Sequence, residues 1–263
     1  MIKCFQVLVL LLAGLPAMSQ HTFQLAPPYL RFESAYFTKE CRVSIEFDHP
    51  NTQIHYTTNG RVPTEKDPVY TQPILLKKQK NVLKARVFGA GFAPSEVTEA
   101  SFFKAGWPIK NIVTSQPHKA YPGSGPNTLM DGLGGWDAFN RKSWAGFLTD
   151  TVILEIRLAK PKKAKQVLLH VLGNQAAWIY LPQKVALFTA KKGTNIWEMV
   201  GQETLTPTEK KDKARSLAIS IKIKNPRKTD RILVKIYPLA KIPDGFSGAG
   251  DRAWLFMDEV NLY

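Results

Sequence analysis

Short runs of alternating apolar and polar residues recur along the chain, separated by Pro, Asn and Gly. This two-residue period is typical of half-buried β-strands, and no run shows a sustained helical stripe. The strand candidates before residue 105 are CRVSIEF, QIHYTT, VLKARVF and TEASFF. Those after residue 108 are VILEIRL, QVLLHVLG, KVALFTA, LAISIKI, RILVKIY and WLFMDEVNLY. The pattern predicts an all-β chain built from β-sandwiches.

A break between the two sets of strands falls at residues 105–108, where a glycine and a proline flank Trp107. We therefore predict a small immunoglobulin- or fibronectin-III-like β-sandwich over residues 20–104 and a jelly-roll β-sandwich over residues 109–263. The segment between them is predicted to be a hinge, and we expect Trp107 to pack in the contact between the domains.

Residues 1–19 have the three parts of a secretory signal peptide: Lys3, an apolar run from Phe5 to Leu15, and small residues before a cleavage point after Ser19. That run is too short to cross a bilayer comfortably, and no later stretch is long and uncharged enough to do so. We predict a soluble protein without a membrane span, exported to a periplasm, a cell surface or the extracellular space.

Cleavage of that signal leaves Cys41 as the only cysteine, so an intrachain disulfide is excluded. Cys41 lies in the alternating run CRVSIEF, and no histidine pattern accompanies it. This context favours a small buried hydrophobe over a reactive thiol.

The chain carries 36 Lys and Arg against 21 Asp and Glu, a formal net charge of +15. For an exported protein this charge does not indicate nucleic acid, and polyanionic glycans, lipid A-type phosphates or an acidic cell surface are the relevant partners. The lysines cluster at residues 161–165, 208–215 and 222–228, where a simple solvated surface is the alternative interpretation.

One long loop, PNTLMDGLGGWDAFNRKSWAGF at residues 126–147, fits neither a helix nor a strand. Gly132, Gly134 and Gly135 break both periodicities. Ordering so many flexible residues is costly unless an ion, aromatic packing or a ligand holds them. The loop is therefore predicted to be held by such a group.

The first domain resembles the small β-sandwich on the C-terminal side of chitobiase and β-hexosaminidase catalytic domains. Asn59-Gly60 would form a tight hairpin there, and Tyr56 and Tyr70 are expected to be core residues. The matching positions are Ile54, Tyr56, Thr57, Asn59, Gly60, Pro63, Tyr70, Pro73, Ile74, Lys84, Ala85 and Phe88.

The second domain resembles the discoidin, or coagulation-factor 5/8 C-type, galactose-binding-like fold of family 32 carbohydrate-binding modules. It is most similar to the module at the C-terminus of many bacterial family 20 β-hexosaminidases. The matching positions are Asp131, Gly132, Trp144, Gly146, Phe147, Trp178, Leu181, Pro182, Pro243, Gly248, Gly250, Ala253, Trp254, Asp258 and Glu259.

The resembling hexosaminidases place an Asp-Glu pair on a TIM barrel, and no strand–helix alternation of that kind occurs in this sequence. Asp258 and Glu259 are neighbours in a strand candidate, so their side chains are expected on opposite faces. They would then not form the facing carboxylate pair that glycoside hydrolysis requires. The histidines show no metal-ligand spacing either, and we predict a protein that is not an enzyme.

The resemblance implies a structural Ca²⁺ in the glycine-rich loop, bound by carboxylates and backbone carbonyl oxygens. Oxygen ligands of this kind suit Ca²⁺. The implied metal ligands are Asp131 and Glu259, then Asp137. The alternative is that Asp131 only caps its own turn while Glu259 pairs with Arg141 or Lys142.

Sugar binding is the second implication, because sugars stack their C–H faces on exposed aromatic rings and bond to nearby polar side chains. Trp144 and Trp254 are expected to pack, Trp136 is placed at the rim of the site, and Trp178 is left open between packing and exposure. The carbohydrate-binding candidates are Trp136, Phe139, Asn140, Arg141, Asn174, Trp178, Asp244, Phe246 and Arg252.

These observations predict a non-catalytic exported protein that binds carbohydrate or adheres to cell-surface glycans through the loops of the second domain. The family suggests N-acetylglucosamine- or galactose-type sugars, whereas the basic charge favours acidic polysaccharides. The alternative is a structural or interaction module that docks onto a separate glycosidase or surface complex.

Overall fold

The computed structural model describes residues 23–191, 194–205 and 213–263; the predicted signal peptide lies outside this part. Seven strands form the first domain, in a three-stranded sheet of order β1-β3-β5 and a four-stranded sheet of order β2-β7-β6-β4. Their bounds are β1 Tyr29–Arg31, β2 Tyr36–Phe37, β3 Cys41–Glu46, β4 Thr52–Thr57, β5 Ile74–Leu76, β6 Lys80–Gly89 and β7 Thr98–Lys104.

The second domain is a sandwich of a five-stranded sheet, β13-β12-β15-β10-β8, on a four-stranded sheet, β14-β11-β16-β9. Helix in the described residues is limited to two 3₁₀ turns, and none of it has the length to cross a membrane. The bounds are β8 Ile109–Thr114, β9 Ala145–Phe147, β10 Val152–Lys162, β11 Gln166–Gly173, β12 Lys184–Ala190, β13 Trp197–Thr204, β14 Arg215–Lys222, β15 Thr229–Tyr237 and β16 Leu255–Leu262. The predicted all-β fold of two sandwiches is confirmed.

Each sandwich has its own apolar core, and the alternating strands supply it. On β10, residues Val152, Leu154 and Ile156 are buried while the residues between them are exposed. Each such side chain contributes roughly 1.5–3 kcal/mol by leaving water. Cys41 is buried in the first core, as the alternation of its strand predicts.

The strands β11 and β16 are buried on both faces, because the first domain covers the outer face of their sheet. Tyr36 and Phe103 of the first domain pack on Leu168 of β11, with Tyr263 at the edge of this cluster. A strand covered on both sides has no solvent-facing positions, which explains the continuous apolar run of QVLLHVLG.

The segment predicted as a hinge is hydrogen-bonded to both domains. The Ala105 amide donates to the Phe37 carbonyl at 2.8 Å, and the Trp107 amide donates to the Leu262 carbonyl at 2.7 Å. A side chain at Gly106 would lie 2.0 Å from the carbonyl oxygen of Leu262, so only glycine fits there. Trp107 is 40% exposed and lines the cleft between the domains, with the Lys162 ammonium 4.3 Å from its ring.

The tight hairpin predicted at Asn59-Gly60 is wrong. Of these two residues, only Gly60 has a positive φ, 83°. The strand β4 pairs antiparallel with β6, more than twenty residues further along the chain, and not across a tight turn at this position. Tyr56 and Tyr70 do pack against the first core and meet edge to face at 6.5 Å.

Candidate functional site

An irregular register in the second domain places Asp258 and Glu259 on the same side of β16. His170 of β11 pairs with Glu259, but the next residue, Val171, pairs with Met257, so Asp258 is an extra residue in the strand. Cross-strand partners share a face, and the Asp258 carboxylate reaches the His170 ring at 2.6 Å. The prediction of opposite faces is therefore wrong, because a β-bulge resets the alternation.

The two carboxylates hold the glycine-rich loop. Asp258 accepts a hydrogen bond from the Gly135 amide at 2.8 Å, and Glu259 accepts one from the Gly132 amide at 3.0 Å. A side chain at Gly134 would lie 2.0 Å from an Asp258 oxygen, and its φ of 151° also favours glycine. The carboxylates of the last strand are thus groups that hold the glycine-rich loop in place, which the sequence alone did not identify.

The same loop joins the two domains. The Ser34 hydroxyl donates to the Gly132 carbonyl at 2.7 Å, and the Ala35 amide donates to the Gly134 carbonyl at 2.9 Å. Trp136, a predicted sugar-binding residue, stacks on Phe32 of the first domain with ring centroids 6.4 Å apart. The guanidinium of Arg141, another predicted residue, lies 4.8 Å from the Trp136 ring.

Burial dominates the electrostatics of this junction. It raises the pKa of Glu259 to about 9, and the nearby charges of Asp258 and Asp131 act in the same direction. Burial, followed by the charge of Asp258, also raises the pKa of Tyr36 well above its usual value. Glu259 is therefore a neutral, hydrogen-bonded acid at neutral pH.

A cleft of about 720 Å³ lies between the domains, and Asp131, Glu259 and Asn261 line it. Asp258 is fully buried and does not line it. Although the two adjacent carboxylates share a side of the strand, they therefore do not face one solvent-filled space as a hydrolytic pair would.

The predicted calcium ligands do not converge. Asp131 accepts hydrogen bonds from the Ser124 hydroxyl at 2.6 Å and the Leu133 amide at 2.9 Å, which is the turn-capping alternative. Asp137 instead accepts a hydrogen bond from the Ser216 amide at 2.6 Å and is an exposed residue. No group of three or more metal-ligating side chains occurs in the part of the chain that the structure describes. The full set does not fit calcium, and binding at Asp131 and Glu259 alone stays a prediction.

A second group of predicted residues lies around Trp178, which directly follows the 3₁₀ turn Gln175–Ala177. The Asn174 side chain accepts from the Ala177 amide at 3.3 Å, and the Trp254 amide donates to the Trp178 carbonyl at 2.9 Å. These bonds fix Trp178 in the left-handed conformation, with φ 59°, which a bulky residue rarely adopts.

Trp178 is 41% exposed and has a glycine against its ring. A Cβ on Gly248 would lie 2.9 Å from each of three atoms of this ring. Equal distances to several ring atoms mean that Gly248 approaches over one face of the ring. Sequence patterns left Trp178 undecided between packing and exposure, and the structure shows both at once.

The loop that carries Gly248 is held in place by its other predicted residues. Phe246 is half-buried and meets Tyr180 at 6.3 Å, while the Tyr180 hydroxyl donates to the Ser247 carbonyl at 2.8 Å. Arg252 donates to the Asp150 carboxylate at 2.5 Å. Asp244, in the same loop, is exposed.

An aromatic group next to this loop was not predicted. The rings of His118 and Tyr121 lie 5.0 and 5.3 Å from Trp254, and all three residues are half-buried. Phe139 packs on Tyr121 at 6.2 Å, whereas its neighbour Asn140 is exposed. The proline-bounded stretch PHKAYP could have indicated this aromatic group, because it places a histidine and a tyrosine close together in a turn-rich loop. Trp144 is 1% exposed, which agrees with its predicted packing role.

Comparison with known proteins gives one family model, described as Fn3 associated, which matches residues 43–102 in the first sandwich. No curated protein matches the chain. Similar solved structures include the C-terminal domain of a chitobiase from Bacteroides fragilis, at 20% identity and a TM-score of 0.36. That match covers 60% of this chain and 92% of the chitobiase domain.

Two further solved structures contain carbohydrate-active modules or enzymes. The CBM32-1 and CBM32-2 domains of Clostridium perfringens ZmpB, in complex with GalNAc, match at 14% identity and a TM-score of 0.38, over 59% of this chain and 34% of that one. A Ruminococcus gnavus GH29 fucosidase in complex with fucose matches at 11% identity and a TM-score of 0.34, over 58% of this chain. This chain spans about a quarter of the fucosidase chain, 24%. A chitobiase C-terminal domain and CBM32 domains are both among these similar structures.

Proposed function

We propose that this is a non-catalytic, exported carbohydrate-binding or cell-surface adhesion protein whose sugar site lies at Trp178. The observation that carries the proposal is the ring of Trp178, with one face against Gly248 and 41% of the residue exposed. An aromatic ring held in a fixed orientation loses little conformational freedom when a ligand stacks on it.

We expect this region to supply both interactions that a sugar requires. The face of the indole opposite Gly248 suits the C–H face of a pyranose, and the loop at residues 243–252 carries exposed polar residues. Among them, Asp244 is exposed, and Arg252 is partly exposed beside Asp150. Asn174 acts indirectly in this proposal, because its side chain caps the turn that positions Trp178.

Trp136 and Arg141 have a different place in the proposal. The Trp136 ring stacks on the first domain, so we assign it to the joint between the domains and not to the sugar. The sugars to test first are N-acetylglucosamine- and galactose-type glycans, which the resembling modules suggest.

A glycan array, read at low and high salt, tests the proposal with the wild type and Trp178→Ala. Trp107→Ala is the matched control, because Trp107 is 40% exposed and Trp178 is 41% exposed. We expect binding to neutral sugars that persists at high salt, is lost in Trp178→Ala, and is retained in Trp107→Ala and Trp136→Ala. Screening by salt separates ring stacking from charge.

Docking onto a glycosidase is the alternative, and the same array addresses it. That alternative predicts no binding to any isolated glycan together with co-purification of a glycosidase. Such a result, or equal loss of binding in Trp178→Ala and Trp107→Ala, would overturn the sugar site proposed here.

A further inference from the structure

The outer face of the five-stranded sheet carries an unusual arrangement of charge. Alternate residues of its strands face the core, so the residues between them face outward. The register places Arg157 opposite Arg231, Ile153 opposite Lys235, and Lys184 opposite Tyr237. Like charges directly opposite each other on two strands destabilise a sheet. The two paired arginines therefore work against stability.

Three cations of this face lie over aromatic rings. The Lys184 ammonium is 5.8 Å from the Tyr237 ring centroid, the Lys235 ammonium is 5.4 Å from that of Phe188, and the Arg231 guanidinium is 5.1 Å from that of Trp197. Three such pairs on one face hold the charged groups close to the sheet surface.

Long side-chain stems cover the apolar part of this face. Ala186 and Leu233 belong to the outward-facing set, yet they are only 1% and 6% exposed. Lys235 pairs with Ala186 across the strands, so its methylene stem covers that small residue. The result is a flat surface with charged groups on an apolar layer. Three outward apolar residues stay exposed: Val113 and Met199 on the two edge strands, and Ile153 on β10.

Within the described residues, no carboxylate neutralises the cations of this face. The outward face carries Arg157, Lys184, Arg231 and Lys235 against the single carboxylate of Glu155. None of these four cations forms an ion pair with a carboxylate in the described part of the chain. A bound polyanion would relieve the repulsion between the paired arginines and meet cations that are already ordered.

We propose that this face is a second binding surface, which takes a linear acidic polysaccharide independently of the Trp178 site. Arginine forms bidentate bonds with carboxylate and sulfate-like groups. Five strands at spacings of about 4.8 Å make a face roughly 19 Å across, which can hold several sugar units in a row. A membrane fits less well, because the aromatic rings lie beneath cations and cannot insert into lipid.

Binding to immobilised polygalacturonate and dextran sulfate tests the proposal, with uncharged dextran as the negative polymer. We expect both acidic polymers to bind, with affinity that falls as salt is raised from 50 to 500 mM. Arg157→Gln/Arg231→Gln should weaken binding about tenfold, since each exposed ion pair is worth up to about fivefold. Trp178→Ala should bind as the wild type does, which separates this surface from the proposed sugar site.

Lys78→Gln/Lys80→Gln is the control for net charge, because both lysines are exposed in the first domain and the same two charges are removed. Lys184→Gln/Lys235→Gln provides a second test if the arginine variant melts early. Equal weakening by the control pair, unchanged binding in both face variants, or binding to phosphatidylserine vesicles but to neither polymer would overturn the proposal.

Discussion

The Asp258 carboxylate lies 2.6 Å from the His170 ring nitrogen Nδ1, and neither side chain has any exposed surface. The same Asp258 oxygen accepts a hydrogen bond from the Tyr36 hydroxyl of the first domain at 3.1 Å. Its other oxygen accepts from the Gly135 amide. One carboxylate therefore connects two strands of the second sandwich, the glycine-rich loop and the first sandwich.

Replacing the residues of this junction should destabilise the protein to different degrees. Tyr36→Phe removes one of three donors to Asp258, and we expect a loss of about 1 kcal/mol in the free energy of unfolding. Asp258→Asn turns an acceptor into a donor that faces other donors, and we expect a loss of roughly 3 kcal/mol. Urea unfolding followed by intrinsic tryptophan fluorescence measures both. Equal effects of the two variants would contradict the shared-acceptor geometry.

Glu259 should make stability depend on pH. Its pKa is about 9 in the folded protein against a usual 4.5, so the folded protein holds a proton that the unfolded chain has lost. The stability that this proton contributes is complete below pH 4.5 and is lost as pH rises towards 9. Glu259→Gln keeps an acceptor for the Gly132 amide but does not titrate. We therefore expect the free energy of unfolding of the variant, relative to that of the wild type, to increase by about 1–3 kcal/mol as the pH rises from 5 to 8.5.

Unfolding curves at the two pH values test that gain, with Glu65→Gln as a control at an exposed carboxylate. The control should show no such relative gain. If Glu259→Gln and the wild type lose stability in parallel between pH 5 and pH 8.5, the carboxyl of Glu259 is not a buried neutral acid.

Calcium binding at Asp131 and Glu259 can be measured by its effect on unfolding. An ion that binds only the folded protein must raise the melting temperature, and a chelator must reverse the rise. If the predicted site exists, Ca²⁺ raises the melting temperature of the wild type and has no effect on Asp131→Asn. A wild-type melt that neither Ca²⁺ nor a chelator changes would show that the calcium prediction is wrong.

The sequence predicts the regular strands well, because a strand with one buried face records that face in its alternation. QVLLHVLG and KVALFTA coincide with β11 and β12, and the continuous apolar character of β11 already reflects burial on both sides. The strands β1, β2, β5, β8, β9 and β13 were missed. Four of them, β1, β2, β5 and β9, have only two or three residues, too few to show a period. The longer β8 and β13 are the edge strands of their sheet and bury too few residues to alternate clearly.

The site could be predicted only in part, because its geometry depends on contacts that are distant in sequence. The bulge at Asp258 leaves no mark on the composition of its strand, so the alternation rule placed its carboxylate on the wrong side. Likewise, nothing near Trp136 indicates that Phe32, more than a hundred residues earlier, stacks on it. Trp178 was predicted as a carbohydrate-binding candidate. Gly248, which lies against its ring, was identified only as a position that matches the resembling family.

The central claim, sugar binding on the face of Trp178 opposite Gly248, is tested most directly by two glycines of one loop. Gly245 and Gly248 have nearly equal φ values of 82° and 79°, so alanine strains the backbone similarly at both. A Cβ at Gly245 would meet nothing within 4 Å, whereas one at Gly248 would collide with the Trp178 ring.

The decisive measurement is calorimetric titration of Gly245→Ala and Gly248→Ala with the strongest neutral glycan from the array. We predict that Gly248→Ala weakens binding at least about tenfold by displacing the ring, while Gly245→Ala binds like the wild type at a similar melting temperature. Equal affinity in the two variants would contradict a sugar site on Trp178.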